Sequence, residues 1–160
     1  MSFTTVRGTS SGDISRISPE HVDFFWPSIE SLMIEKPGSL LEYHAPEEMR
    51  EFIRNGIMDL WIGLEDNEIK LAGVTCLCGT KKKYLDILWI GGSDFRFFRD
   101  KALDKLEKWA ALHRAESINI AGRAGWARML RGLGFGFSRV ELSKPLKYVR
   151  TDDGLIVWRH

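Results

Sequence analysis

The sequence predicts an α/β domain, a mixed and mostly antiparallel central sheet with helices on both faces. Three observations lead there. Apolar residues recur at helical spacing over residues 19–35 and 96–114. Between those segments lie three short apolar runs separated by turn-forming clusters. The third run, Tyr84 to Ile90, is apolar on both faces except at Asp86, which suits a central strand covered by helices on each side. A chain of 160 residues, 44% apolar and 28% charged, can bury the core this needs as one domain over residues 1–160.

Taken in order, residues 1–13 are polar and read as irregular, and Ile14 to Ile17 reads as a short first strand. Ser18 and Pro19 supply a cap and a first helical position. Val22, Phe25, Trp26, Ile29, Leu32 and Met33 then share one helix face, and Lys36-Pro37-Gly38 ends it. Ala45-Pro46-Glu47-Glu48 opens a second helix with carboxylates at its positive end, and Gly56 closes it. The three strands run Ile57 to Leu64, Ile69 to Cys78 and Tyr84 to Ile90. The helix over 96–114 buries Phe98, Ala102, Leu103, Leu106, Trp109 and Ala110. Ser117 to Ala121 is a strand, Gly125 to Arg131 a short helix stopped by Gly132 and Gly134, and Phe135 to Leu142 a strand. Beyond this core, about residues 14–142, the extension 143–160 forms a hairpin, Lys147 to Arg150 and Leu155 to Trp158, around Thr151-Asp152-Asp153-Gly154.

A net charge of +1 gives no electrostatic case for nucleic acid or an anionic membrane. No apolar run approaches the ~20 residues of a spanning helix, and MSFTTVRGTSSGD lacks the apolar segment of a secretory signal, so a cytoplasmic setting is expected. Cys76 and Cys78 are poorly spaced for a mutual disulfide and fit strand core. The four histidines show no metal-ligand spacing, and no metal is expected.

Chemistry concentrates in LWIGGSDFRFFRDKALDKLEKWA, Leu88 to Ala110. A strand ends at two glycines, a polar loop follows, and a helix begins, the order in which a helix start offers N–H groups to a phosphate. Gly91 and Gly92 either let backbone approach a ligand or simply make a turn. Arg96, Arg99 and Lys101 oppose the helix dipole unless an anion sits nearby; otherwise they form a solvated helix start. Asp86 is the carboxylate of the strand, either a general base whose pKa burial raises or the structural partner of an Arg or Lys. Asp59, on the neighbouring strand, is a reserve.

The order of elements over residues 14–142, together with the segment 85–110 and with GRAGWARMLRGLGF, Gly122 to Phe135, resembles the general N-acetyltransferase (GNAT) superfamily. Leu133-Gly134-Phe135 matches the "Leu-Gly-Phe" ending of the family's late helix. The GRAGW form and the short core look most like degenerate GNAT-like proteins of tailed bacteriophages. The resemblance implies acetyl-CoA as cofactor. Its pantetheine arm would lie along Leu88 and Ile90, and its pyrophosphate against Gly91, Gly92, Arg96, Phe97, Phe98, Arg99 and Lys101. It implies Asp86 as the base for an amine acceptor, whose identity the sequence does not give. The family's loop, Gln/Arg-x-x-Gly-x-Gly/Ala, is matched here by Arg96 to Lys101, with Arg99 and Lys101 in place of the small residues. The tyrosine that protonates the thiolate falls at Leu130. Two functions follow: an N-acetyltransferase with a degenerate loop, or a catalytically inactive phage virion or assembly protein. The second would work through protein contacts, with the exposed hairpin edge pairing with a partner or a second copy.

Overall fold

The computed structural model describes residues 13–38, 40–121, 125–136 and 143–159. The chain divides into two compact units, Met1–Gly122 and Arg123–His160.

In the first unit the elements follow in the order β1 (Ile14–Ile17), α1 (Val22–Glu35), α2 (Pro46–Arg54), β2 (Asp59–Glu65), β3 (Glu68–Cys78), β4 (Tyr84–Gly92), α3 (Phe95–Leu112) and β5 (Ser117–Ile120). Pro19 starts a single tight turn that hands over to α1 at Val22, so the regular helix begins three residues later than its proline signal. Gly56 follows α2 at φ +74°, the left-handed value that a helix-ending glycine adopts at no steric cost. The five strands lie side by side in sequence order. β1 to β4 pair antiparallel, and β5 returns parallel to β4 after the α3 crossover. The mixed, mostly antiparallel sheet with helices on both faces is thus what the chain forms. Among the described strands β4 lies inside the sheet, between β3 and β5, and packs against helices on both faces, as expected.

Two apolar clusters flank the sheet. One joins Phe25, Trp26, Ile29 and Met33 of α1 and Met49 and Ile53 of α2 to Leu60, Ile62, Ala72, Val74 and Trp89. The other joins Phe98, Leu106 and Ala110 of α3 to Ile14, Trp61, Leu71, Leu85 and Ile87. Trp109 and Ala102 are partly buried against this second cluster. Trp109 stacks edge-on to Trp61 at 5.8 Å and lies 4.2 Å from the His113 ring, with the Arg16 guanidinium 4.4 Å from its centre.

Within the second unit, α4 (Gly125–Met129) is followed by glycines at φ +80° and +87°, Gly132 and Gly134, which stop it two residues before the expected Arg131. Most of the expected strand Phe135 to Leu142 lies outside the described residues. β6 (Tyr148–Arg150) and β7 (Ile156–Trp158) form the two-stranded hairpin. Among the described residues, no helix is long and apolar enough to cross a membrane.

Candidate functional site

β4 is where regular pairing gives way. On one side it follows β3 along its whole length, from Cys78 opposite Tyr84 to Leu71 opposite Gly92. On the other it pairs with β5 only from Tyr84 to Ile87, whose partners run from Ser117 to Ile120. From Leu88 onward no described strand lies on that side, because β5 ends at Ile120 and β4 runs on; this open stretch of β4 is the fork. At the same point Thr75 faces Ile87 while Val74 faces Trp89, leaving Leu88 as an extra residue in β4.

That bulge resets the alternation of the strand. Leu85, Ile87 and Ile90 pack with the α3 cluster, whereas Leu88 and Trp89, adjacent in sequence, both pack with the α1 and α2 cluster. Leu88 and Ile90 therefore both stand at the fork, on opposite faces. Asp86 precedes it, half-buried, opposite Cys76 on one side and Asn119 on the other.

The carboxylates of Asp86 and Asp59 add to burial, the largest cause, and to Cys78 in pushing the Cys76 thiol up to about 12. Asp59 serves elsewhere. It faces Thr75, the neighbour of Cys76, so alternation turns it to the opposite side of the sheet from Asp86. There it accepts a hydrogen bond from Arg16 Nε at 2.9 Å, which removes it as a reserve base.

Both glycines at the end of β4 have a packing reason. A Cβ on Gly91 would fall 2.3 Å from the Trp89 indole, which lies across it. Gly92 sits at φ +117°, and a Cβ there would fall 2.2 Å from the Lys70 carbonyl oxygen. Trp89 Nε1 donates to the Lys36 carbonyl at 2.7 Å, and Lys36 Nζ donates to the Gly92 carbonyl at 3.2 Å. The end of α1 is thereby fastened to the end of β4. Nothing in the sequence announces Trp89 or Lys36, because the two residues meet across a separation of more than fifty positions.

α3 begins at Phe95, directly after Asp94, which stands at φ +25° and makes no side-chain cap. The N–H groups of Phe97 and Phe98 donate to the Asp94 carbonyl at 3.0 and 3.3 Å. The two preceding N–H groups have no acceptor within the helix by its geometry. The first turn holds no acidic residue. Arg96 and Arg99, three apart, share one flank, and Phe97 and Lys101, four apart, share another. Arg99 Nε donates to Asp100 at 3.0 Å. Phe98 is wholly buried beneath Gly63, so its ring belongs to the core rather than to a ligand surface.

The fork and the α3 start suit an extended ligand ending in an anion, since one offers unpaired strand edge and the other positive charge. The fit is partial. Arg99 and Lys101 put long side chains where a close backbone approach would need small ones.

No protein-family profile matches the chain, and no curated protein matches it. Solved structures do. A probable acetyltransferase superposes with a TM-score of 0.63 at 15% identity, over 83% of this chain and 97% of its own. A predicted acetyltransferase with acetyl-CoA from Clostridium acetobutylicum gives 0.61 at 11% identity, over 83% and 95%. An aminoglycoside acetyltransferase from an uncultured soil metagenomic sample gives 0.61 at 15% identity, over 84% and 97%. At these identities the likeness is one of architecture, and the architecture of this chain is the fold of the GNAT-type acetyltransferases.

Proposed function

We infer that the chain binds acetyl-CoA at the β4–β5 fork and transfers the acetyl group to an amine. The observation that carries this reading is the coincidence of three features at one strand end. β5 ends opposite Ile87, Leu88 is inserted in β4 just beyond, and β4 then leads straight into the start of α3. An extended pantetheine arm would continue the pairing along β4 beyond the end of β5, and Arg96 and Arg99 would meet the phosphates. The structural relative with acetyl-CoA supports the choice of ligand.

In the transfer, the amine lone pair forms a bond to the thioester carbonyl carbon and the C–S bond breaks. Asp86, or a water held by it, takes the proton the amine sheds. The resemblance places Leu130 where an acid would protonate the departing thiolate, and leucine has no proton to give. The thiolate must then take its proton from water, a deficit worth about 10²–10⁴-fold in rate. The sequence pattern and the reading thus agree on a slow transferase.

Titration with acetyl-CoA tests this. Wild type should bind, and Arg99→Ala should weaken binding about tenfold or more, since a charge-assisted phosphate contact is worth about 1.5–3 kcal/mol. Raising the salt should weaken it too. A wild type that does not bind, with binding appearing in Arg99→Gly/Lys101→Gly, would identify a closed, non-catalytic site. A role through protein contacts alone, as in a phage virion or assembly component, would then take its place.

A further inference from the structure

We propose that β7 is a dimerisation edge, pairing antiparallel with β7 of a second copy of this chain to make one four-stranded sheet from two hairpins. The argument begins with the hairpin's own hydrogen bonds. Thr151 N–H donates to Leu155 and Arg159 N–H donates to Lys147, and the register sets Val149 opposite Val157 between them. In an antiparallel pair, bonded and non-bonded positions alternate. Tyr148, Arg150, Ile156 and Trp158 therefore turn their main-chain groups outward, and none of the described residues pairs with them.

Two strands alone are marginal in water, whereas three or more with an apolar face are stable. This hairpin is also strongly apolar. Ile156 is 66% exposed and Trp158 55%, with Leu146, Tyr148, Val149, Leu155 and Val157 exposed beside them. Along β7 itself, Leu155, Ile156, Val157 and Trp158 form an unbroken exposed apolar run at the open edge.

The β7 edge is complementary to itself. A two-fold axis through Val157 puts Ile156 opposite Trp158 of the second copy, and Trp158 opposite its Ile156. These are the residues whose main-chain groups face outward, so both pairs exchange N–H and C=O bonds. Each row across the new sheet then reads Tyr148, Trp158, Ile156, Arg150. The first two are already in edge-on contact at 5.5 Å.

Charge agrees. Arg159 comes to lie opposite Leu155 of the second copy, next to a turn that carries Asp152 and Asp153. The Thr151 hydroxyl donates to Asp153 and holds that carboxyl below the usual carboxylate range, hence anionic. A two-fold axis on the β6 edge would bring Lys147 beside the same turn but would set Tyr148 against Arg150, without the apolar Ile156–Trp158 pairs of the β7 edge.

Sedimentation equilibrium of the full chain should give twice the 18.3 kDa chain mass. Ile156→Lys, which plants a charge in the edge, should give a monomer with unchanged far-ultraviolet circular dichroism. Val157→Cys provides a readout that does not depend on that variant folding. Val157 would face its own copy at a non-bonded position, where Cα atoms approach to about 4.5 Å and a disulfide fits. Mild oxidation should cross-link Val157→Cys but not wild type, whose Cys76 and Cys78 serve as background. It should also leave Val149→Cys, the same probe on the β6 edge, uncross-linked. A wild type that stays monomeric, a dimer that survives Ile156→Lys, or cross-linking through Val149→Cys instead would overturn the proposal.

Discussion

Cys76 shows how far one residue's neighbours decide its chemistry. Burial, the neighbouring Cys78 and the carboxylates of Asp86 and Asp59 together push its thiol up to about 12. The group stays protonated across the physiological range and is a poorer nucleophile than an ordinary thiol. Alkylation with iodoacetamide at pH 8, followed by mass spectrometry, should leave Cys76 unmodified in the native protein and modify it rapidly once the chain is denatured. Phe98 makes the opposite point about reading a loop from its sequence. It falls within the stretch that resembles a phosphate loop, yet its ring is fully buried against β1 and β2. Phe98→Ala should cost about 3–5 kcal/mol in urea unfolding, as for other core aromatics. Arg96 and Lys101 lie on the exposed surface of the same helix and should tolerate alanine without comparable loss.

At the scale of elements, β4 and α1 are joined by one indole. Trp89 fills the space over Gly91 and holds the Lys36 carbonyl, so strand end and helix end share a single side chain. Gly91→Ala should therefore destabilise by about 1–3 kcal/mol through overpacking. In a Trp89→Leu background, where the indole is gone, the same substitution should cost far less. A double-mutant cycle in urea should give a coupling of about 0.5–3 kcal/mol. Additive costs would show that Gly91 is required for another reason. The strands, α2 and the helix 95–112 are legible in the sequence because each rests on a local signal: alternation, a Pro-Glu-Glu start, or a face of Phe98, Leu106 and Ala110. The bulge is not legible. Leu88 and Trp89 point the same way only because β3 continues without an insertion opposite them, and periodicity within β4 carries no trace of that. Asp86 could be singled out as the carboxylate of β4. Its separation from Asp59 across the sheet depends on pairing that only the fold supplies.

On the scale of the whole molecule, the order of strands follows the order of the sequence, and that has a consequence in time. β2 is joined to β3, and β3 to β4, by a short turn, so these three strands close small loops, whereas β1 reaches β2 only across α1 and α2. β5 reaches β4 only after the eighteen residues of α3 have folded back, and it gains four paired positions in return. Small loops close early and large ones late. Native-state hydrogen exchange should therefore find the slowest amides in β3 and distinctly faster ones in β5, with β5 opening well below the free energy of global unfolding. Equal protection in both strands would mean that the sheet opens only as a unit. With β5 the faster to exchange, the seam between β4 and β5 parts while β2, β3 and β4 stay paired. A chain could thread a long ligand into that seam, and let it go again, while the remaining four strands stay folded.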